Sequence, residues 1–244
     1  MAKITFNNRQ SPFFDALRSK IDNYFEEHKI SPTGNMKLWS KTIILAIAAV
    51  TVYLLLVFTH LPIAAQLGLC AVLGFNLASI GFNVMHDGAH GSYSKNKHLN
   101  NIMSYSLNIM GGSSFMWKIK HNVIHHSFTN IEGVDDDIMV GPLMRINEQQ
   151  KKYWIHRFQH IYWVLLYGLT YFVWIFWNDF QKYFTHKIGP TPIRKMKLSE
   201  HIGFWLTKIG YLTFFIILPA YNHGILATLA GYAVVLFVTG LVIA

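Results

Sequence analysis

Thr42 to Met85 contains no lysine, arginine, aspartate or glutamate. A helix needs about 20 apolar residues to cross a bilayer. This run is long enough for two spans, and His60-Leu61-Pro62 marks the turn between them. A second helical hairpin is predicted near the end of the chain. Its first arm runs from about Gly203 to Pro219, with Lys208 near enough to the end to snorkel. Pro219-Ala220-Tyr221-Asn222-His223-Gly224 forms the turn, and Ile225 to Ala244 is a charge-free second arm. No polar flank follows that arm, so the pattern predicts a chain cut in mid-structure. Ahead of the first hairpin, Ser11-Pro12 followed by Phe13, Phe14, Leu17, Ile21 and Phe25 predicts a short amphipathic helix. It is expected to lie on a membrane or on the rest of the protein without chemistry of its own.

Two stretches between the hairpins are apolar but broken. Leu99 to Trp117 is interrupted by Asn100, Asn101, Asn108, Gly111 and Gly112, with lysines on both flanks, which favours a re-entrant or interfacial element. Ile161 to Trp177 carries Tyr162, Trp163, Tyr167, Tyr171, Trp174 and Trp177. As a span it would leave Lys182, Lys187, Arg194, Lys195 and Lys197 outside, so an amphipathic or half-inserted helix is expected. The fold class is therefore all-α: an integral membrane protein with two transmembrane helical hairpins, four spans in all. A cytoplasmic N-terminal segment (1–41) leads into the first hairpin (42–85). A histidine-rich cytoplasmic and interfacial region (86–202) separates it from the second hairpin (203–244).

Composition agrees with this reading. Hydrophobic residues make up 52% of the 244 and charged residues 14%. The net charge of +9 could indicate nucleic acid, but the basic residues flank apolar runs, where cytoplasmic loops and anionic headgroups explain them. No nucleic-acid partner is expected; the lipid bilayer is. The basic residues before Thr42 place the N-terminus in the cytoplasm, and His86 emerges on the same side after two spans. Cys70, the one cysteine, excludes an intrachain disulfide and a thiolate metal cluster. Neither a cleavable signal peptide nor a lipidation motif is visible.

The chemistry lies in two clusters, His86-Asp87-Gly88-Ala89-His90 and His121-Asn122-Val123-Ile124-His125-His126. Residues four apart share a helix face; His86/His90 and His121/His125 have that spacing, and His126 offers a ligand from an adjacent direction. Five imidazoles are too many for one tetrahedral zinc. They suit two metals in a nitrogen-rich shell, whether iron, zinc or copper. Asp87, Asp135, Asp136 and Asp137 are candidate acceptors to orient the rings. His156 and His160 repeat the spacing beside the aromatic segment and are weaker candidates. His98 reads as a loop residue, and His28, His60, His186, His201 and His223 as structural or solvated. Gly88 suits close helix packing and Gly91 a helix stop.

His86-Asp87-Gly88-Ala89-His90-Gly91-Ser92 and His121-Asn122-Val123-Ile124-His125-His126 resemble the first two histidine boxes of the membrane fatty acid desaturases. Thr129-Asn130 through Asp135-Asp136-Asp137 is similar to the bacterial branch related to linoleoyl-CoA desaturases. The resemblance implies two non-haem iron ions (Fe2+/Fe3+) on the cytoplasmic face, ligated by His86, His90, His121, His125 and His126. It implies a fatty acyl-CoA or acyl-lipid substrate in an apolar tunnel, O2 as oxidant, and a separate ferredoxin or cytochrome b5-type electron donor. The implied location is a multi-pass protein of the bacterial inner membrane. No His-Pro-Gly-Gly haem motif is present in the N-terminal segment.

The family's third box, (His/Gln)-x-x-His-His, does not occur before Ala244. The 244 residues alone are therefore expected not to desaturate, whether as a fragment or as an inactive truncated remnant. A membrane di-iron lipid hydroxylase is a competing reading, since box spacing does not separate hydroxylation from desaturation. A metal transporter would need ionisable residues along a mid-membrane path; the spans offer Gln66, Asn76, Ser79 and Asn83, with the histidines at span ends.

Overall fold

The computed structural model describes residues 12–244. The helix expected at Ser11-Pro12 is seen from Pro12 on, Ser11 being outside the described residues. That helix, α1 (Pro12–Glu27), buries none of its residues against the protein. Helix α2 (Met36–Phe58) starts where the Asn35 side chain accepts hydrogen bonds from Lys37 N and Leu38 N. After a four-residue break, α3 (Ile63–His90) returns as a 28-residue helix. Its turn at Gly81–Met85 is π-helical.

The broken segment folds as three short helices: α4 (Lys97–Ser104), α5 (Ser106–Ile109) and α6 (residues 114–125). Gly111 (φ +88°) makes the bend before α6, in a backbone region that only glycine enters freely. Its Cα also lies against the Tyr211 ring. Ile161–Trp177 lies within α7 (Trp154–Thr185), a 32-residue helix. A two-stranded antiparallel ribbon, Lys187–Ile188 with Thr191–Pro192, leads to α8 (Leu198–His223) and α9 (Ile225–Ile243). Among the described residues, α2, α3, α7, α8 and α9 are long and apolar enough to cross a membrane.

Small residues set the packing. A Cβ on Gly74 would come within 2.8 Å of Val235 O, and Thr239 Oγ1 donates to Gly74 O at 3.1 Å, so α3 and α9 touch backbone to backbone. On another face of α9, Gly240 meets the Tyr167 and Gly168 carbonyls of α7. The aromatic helix thus packs on the last helix of the bundle. The buried core joins Cys70, Leu73 and Leu77 of α3 to Tyr171 and Ile175 of α7, Tyr211 of α8 and Tyr232, Val235 and Leu236 of α9.

Two details depart from the hydropathy pattern. The predicted turn at 219–224 is helical through His223 and breaks only at Gly224 (φ +82°). A π-helical turn at Thr213–Ile217 precedes Pro219; this wider turn accommodates the missing proline N–H and the ring's clash with the preceding carbonyl. Lys208 does not snorkel. It is 6% exposed, and its Nζ donates to Gly111 O (2.6 Å), Ile175 O (2.8 Å) and Asp179 Oδ2 (2.8 Å). All three ammonium protons are satisfied inside the bundle, which is the condition for burying that charge.

The hairpin turns lie together: His223 Nε2 is 3.0 Å from Val57 O, and the His60 and His223 rings are 4.9 Å apart. Helix α3 runs from this end to the opposite one, where it delivers His86 and His90.

Candidate metal centre

The first pair occupies the last turn of α3, immediately after the π-helical turn. Gly91 (φ +76°) stops the helix there. Gly88 lets α4 approach: a Cβ would lie 2.7 Å from Met103 Cβ and Ser104 N. The second cluster sits at the end of α6, where Ile119–His125 is π-helical rather than α-helical. Such wide turns are frequent at functional sites. Asn122 Nδ2 donates to Ala89 O at 2.8 Å and ties the two clusters together.

The five imidazoles converge. Ring centroids are 4.4 Å apart for His86–His90 and 5.3 Å for both His86–His121 and His90–His121. His121 and His125 stack at 5.2 Å, while His126 meets His90 at 4.8 Å and His121 at 4.9 Å, edge to face. Ligand atoms of His86, His90 and His121 all lie within 4.8 Å of one another, as do those of His121, His125 and Asp137. Two nitrogens bound to one metal at about 2.1 Å each are separated by about 4 Å at most, so small adjustments would close the His86, His90 and His121 group on an ion.

The acidic run fixes the rings from behind. Asp135, fully buried, has Oδ2 2.9 Å from His125 Nδ1 and also accepts from Asn130 N and Asp137 N. Asp137 Oδ2 lies 3.3 Å from His121 Nδ1. A carboxylate only accepts, so Nδ1 of each ring carries the proton and Nε2 presents a lone pair. His121 Nε2 and His90 Nε2 are buried without a hydrogen-bond partner. Orphaned buried nitrogens on rings this close are costly in a fold but suited to a metal. The donor set, neutral imidazole with carboxylate nearby, fits iron.

Electrostatics supports the same state. Burial acting alone would raise the Asp137 carboxyl. The His121 hydrogen bond and the Lys120 ammonium 2.8 Å away outweigh it and hold Asp137 below the ordinary carboxylate range. Burial likewise opposes the charge on Lys120, yet Asp137 and Asp136 carry its pKa above the ordinary value. Loss of solvent, and then the neighbouring His121 and His125, lower the pKa of His126, which favours the neutral ligand form.

Of the four acidic candidates, Asp135 and Asp137 meet imidazoles. Asp87 Oδ1 is 3.7 Å from His86 Nδ1, outside hydrogen-bond range, and Asp136 pairs with Lys182. His156 has both nitrogens on backbone: Nδ1 accepts from Tyr153 N and Nε2 is 2.9 Å from Pro142 O. His98 and His160 are exposed. His201 bonds the Tyr183 hydroxyl. Trp117, overlooked in the sequence, stacks on His121 at 4.5 Å and meets the His86 ring edge at 5.9 Å. Its signal was the four-residue stripe Trp117, His121, His125.

A family model described as fatty acid desaturase matches residues 61–244. The chain is 35% identical over 210 residues to an acyl-lipid (8-3)-desaturase of Physcomitrium patens, covering 85% of this chain and 44% of that protein. It is 31% identical over 218 residues to an sn-1 linoleoyl-lipid 6-desaturase of Synechocystis, covering 86% and 59%. With an sn-1 linoleoyl-lipid 6-desaturase of Arthrospira platensis it shares 32% identity over 248 residues, covering 99% and 66%. The chain thus spans between 44% and 66% of the length of these relatives. No solved structure matches. The family match takes in both histidine clusters and the whole bundle after the first turn, and the chain belongs to the fatty acid desaturase family.

Proposed function

We propose that His86, His90, His121, His125 and His126 hold two non-haem iron ions, and that this centre serves fatty acyl desaturation at a membrane surface. The observation that carries the reading is the convergence of the five imidazoles, with His125 Nδ1 held by Asp135, His121 Nδ1 held by Asp137, and the Nε2 atoms of His90 and His121 buried without a hydrogen-bond partner. Bound iron with O2 supplies the oxidising power that an unactivated methylene C–H requires. The chain's own residues orient the rings, exclude water and position the substrate. Asp135 and Asp137 hold the imidazole tautomers. Trp117 covers the His86 and His121 rings on one side.

A cavity of about 1000 Å³ approaches the histidine clusters at Val84, two residues before His86, and at Lys118, though none of the five histidines lines it. Ala46, Ala49 and Val50 of α2, Leu77 and Ile80 of α3 and Met110 line it, and Lys118 reaches it three residues before His121. An apolar slot with polar groups at its rim is what an acyl chain with a polar head needs. The named relatives act on acyl-lipids, so an acyl-lipid is the proposed substrate, ahead of acyl-CoA. O2 and a separate ferredoxin or cytochrome b5-type donor complete the reaction. The lysines and arginines before Thr42 support a reading in which the N-terminus and the histidines lie on the cytoplasmic face, and the proposed location is a bacterial inner membrane.

The test is the lipid profile of a host expressing the reading frame that contains these residues, with and without His121→Ala. A new double bond that disappears in the variant supports desaturation. A hydroxylated product would replace it with the hydroxylase reading.

A further inference from the structure

The three consecutive aspartates do not act alike. Asp135 and Asp137 face imidazoles, while Asp136 faces the other way, toward α7. Its Oδ2 lies 2.8 Å from Lys182 Nζ and 3.7 Å from Lys120 Nζ. Lys182 is 7% exposed. It stands one turn beyond Asp179, whose Oδ2 accepts from Ser113 N (2.9 Å), at the bend that begins α6, and from Lys208 (2.8 Å). The end of α7 therefore grips both the helix that carries His121 and the loop that orients it.

We infer that Lys182, through Asp136, is a positioning residue for the second histidine cluster. It holds the middle carboxylate so that the two flanking ones meet His121 and His125. This inference rests on the reading of the histidines as metal ligands. Lys120 is shared, at 2.8 Å from Asp137 and 3.7 Å from Asp136. Without Lys182, Asp136 keeps a charge with Lys120 as its one remaining cation among the described residues. Lys120 is then drawn from Asp137 toward Asp136, and Asp137 loses its place behind His121.

The test titrates the metal-free full chain in lipid nanodiscs with Co2+, reading the visible absorption bands of the bound ion. Substituting groups that orient metal ligands costs about 10–100-fold in affinity. Lys182→Met should weaken binding by about that factor and alter the bands, while Lys182→Arg, which keeps the charge, restores both. Adding Asp136→Asn to Lys182→Met removes the uncompensated carboxylate and should recover most of the loss. That double variant also serves if Lys182→Met alone fails to fold. Unchanged affinity and bands in Lys182→Met, even with a lower Tm, would overturn the inference and leave the metal reading standing. Equal losses in Lys182→Met, Lys182→Arg and the double variant would also overturn it. Failure of the unaltered chain to bind Co2+ at its histidines would remove both.

Discussion

At the scale of single residues, the centre depends on carboxylates that the histidine spacing does not reveal. Asp135 is fully buried and satisfies three donors at once. Asp135→Asn keeps the shape but removes the charge and one acceptor. It should weaken metal binding about 10–100-fold and cost about 1–3 kcal/mol of stability, read by metal titration and thermal unfolding. The pH response follows from Asp137, Lys120 and His126. A depressed carboxyl contributes stability above its unfolded pKa and loses it as pH falls through the folded value. A raised lysine contributes below its unfolded pKa and loses it as pH rises through the folded value. His126, whose pKa is lowered, costs stability once pH falls below the ordinary histidine value, so hydrogen-exchange protection of the 130–140 loop should be flat from about pH 7.5 to about pH 9 and fall outside that window. The five imidazoles were legible because four-residue spacing has a geometric meaning. Which aspartate faces which ring was not, since loop 130–140 has no periodicity to read.

At the scale of elements, charge-free runs announced the hairpins, and glycines at 74, 88 and 240 set how closely helices approach. Gly88→Ala places a methyl 2.7 Å from the backbone of α4. About 1–3 kcal/mol of destabilisation is expected from such overpacking, with displacement of His86 and His90 visible as weaker metal binding. Lys208 shows where hydropathy misleads. A lone lysine near a span end reads as a snorkeler, because its acceptors (Gly111, Ile175 and Asp179) come from segments distant in sequence. Lys208→Met leaves Asp179 buried without its countercharge and should cost about 3–5 kcal/mol. Adding Asp179→Asn should recover much of that in the thermal unfolding of the purified protein. The π-helical turns at Gly81–Met85 and Ile119–His125 were equally invisible, since α and π turns share one apolar pattern over a few residues.

At the scale of the whole molecule, the hairpin turns gather at one end and the histidines at the other, with the apolar slot beside the histidine end. The interfacial segment of the sequence is the apolar 32-residue helix α7. It links the last helix, through Gly168 and Gly240, to the segments that carry and orient the second histidine cluster, through Asp179 and Lys182. Charge flanks and aromatic content describe such a helix one residue at a time, whereas its role comes from three partners far apart in the chain. The central claim is that both histidine clusters serve one metal centre. X-ray absorption at the iron edge of the iron-loaded protein addresses it most directly, using His86→Ala/His90→Ala and His121→Ala/His125→Ala variants. A nitrogen shell at about 2.1 Å with imidazole scattering is predicted, and replacing either pair should deplete it. An unchanged shell and iron content after loss of either pair, or a shell without imidazole, would contradict the claim.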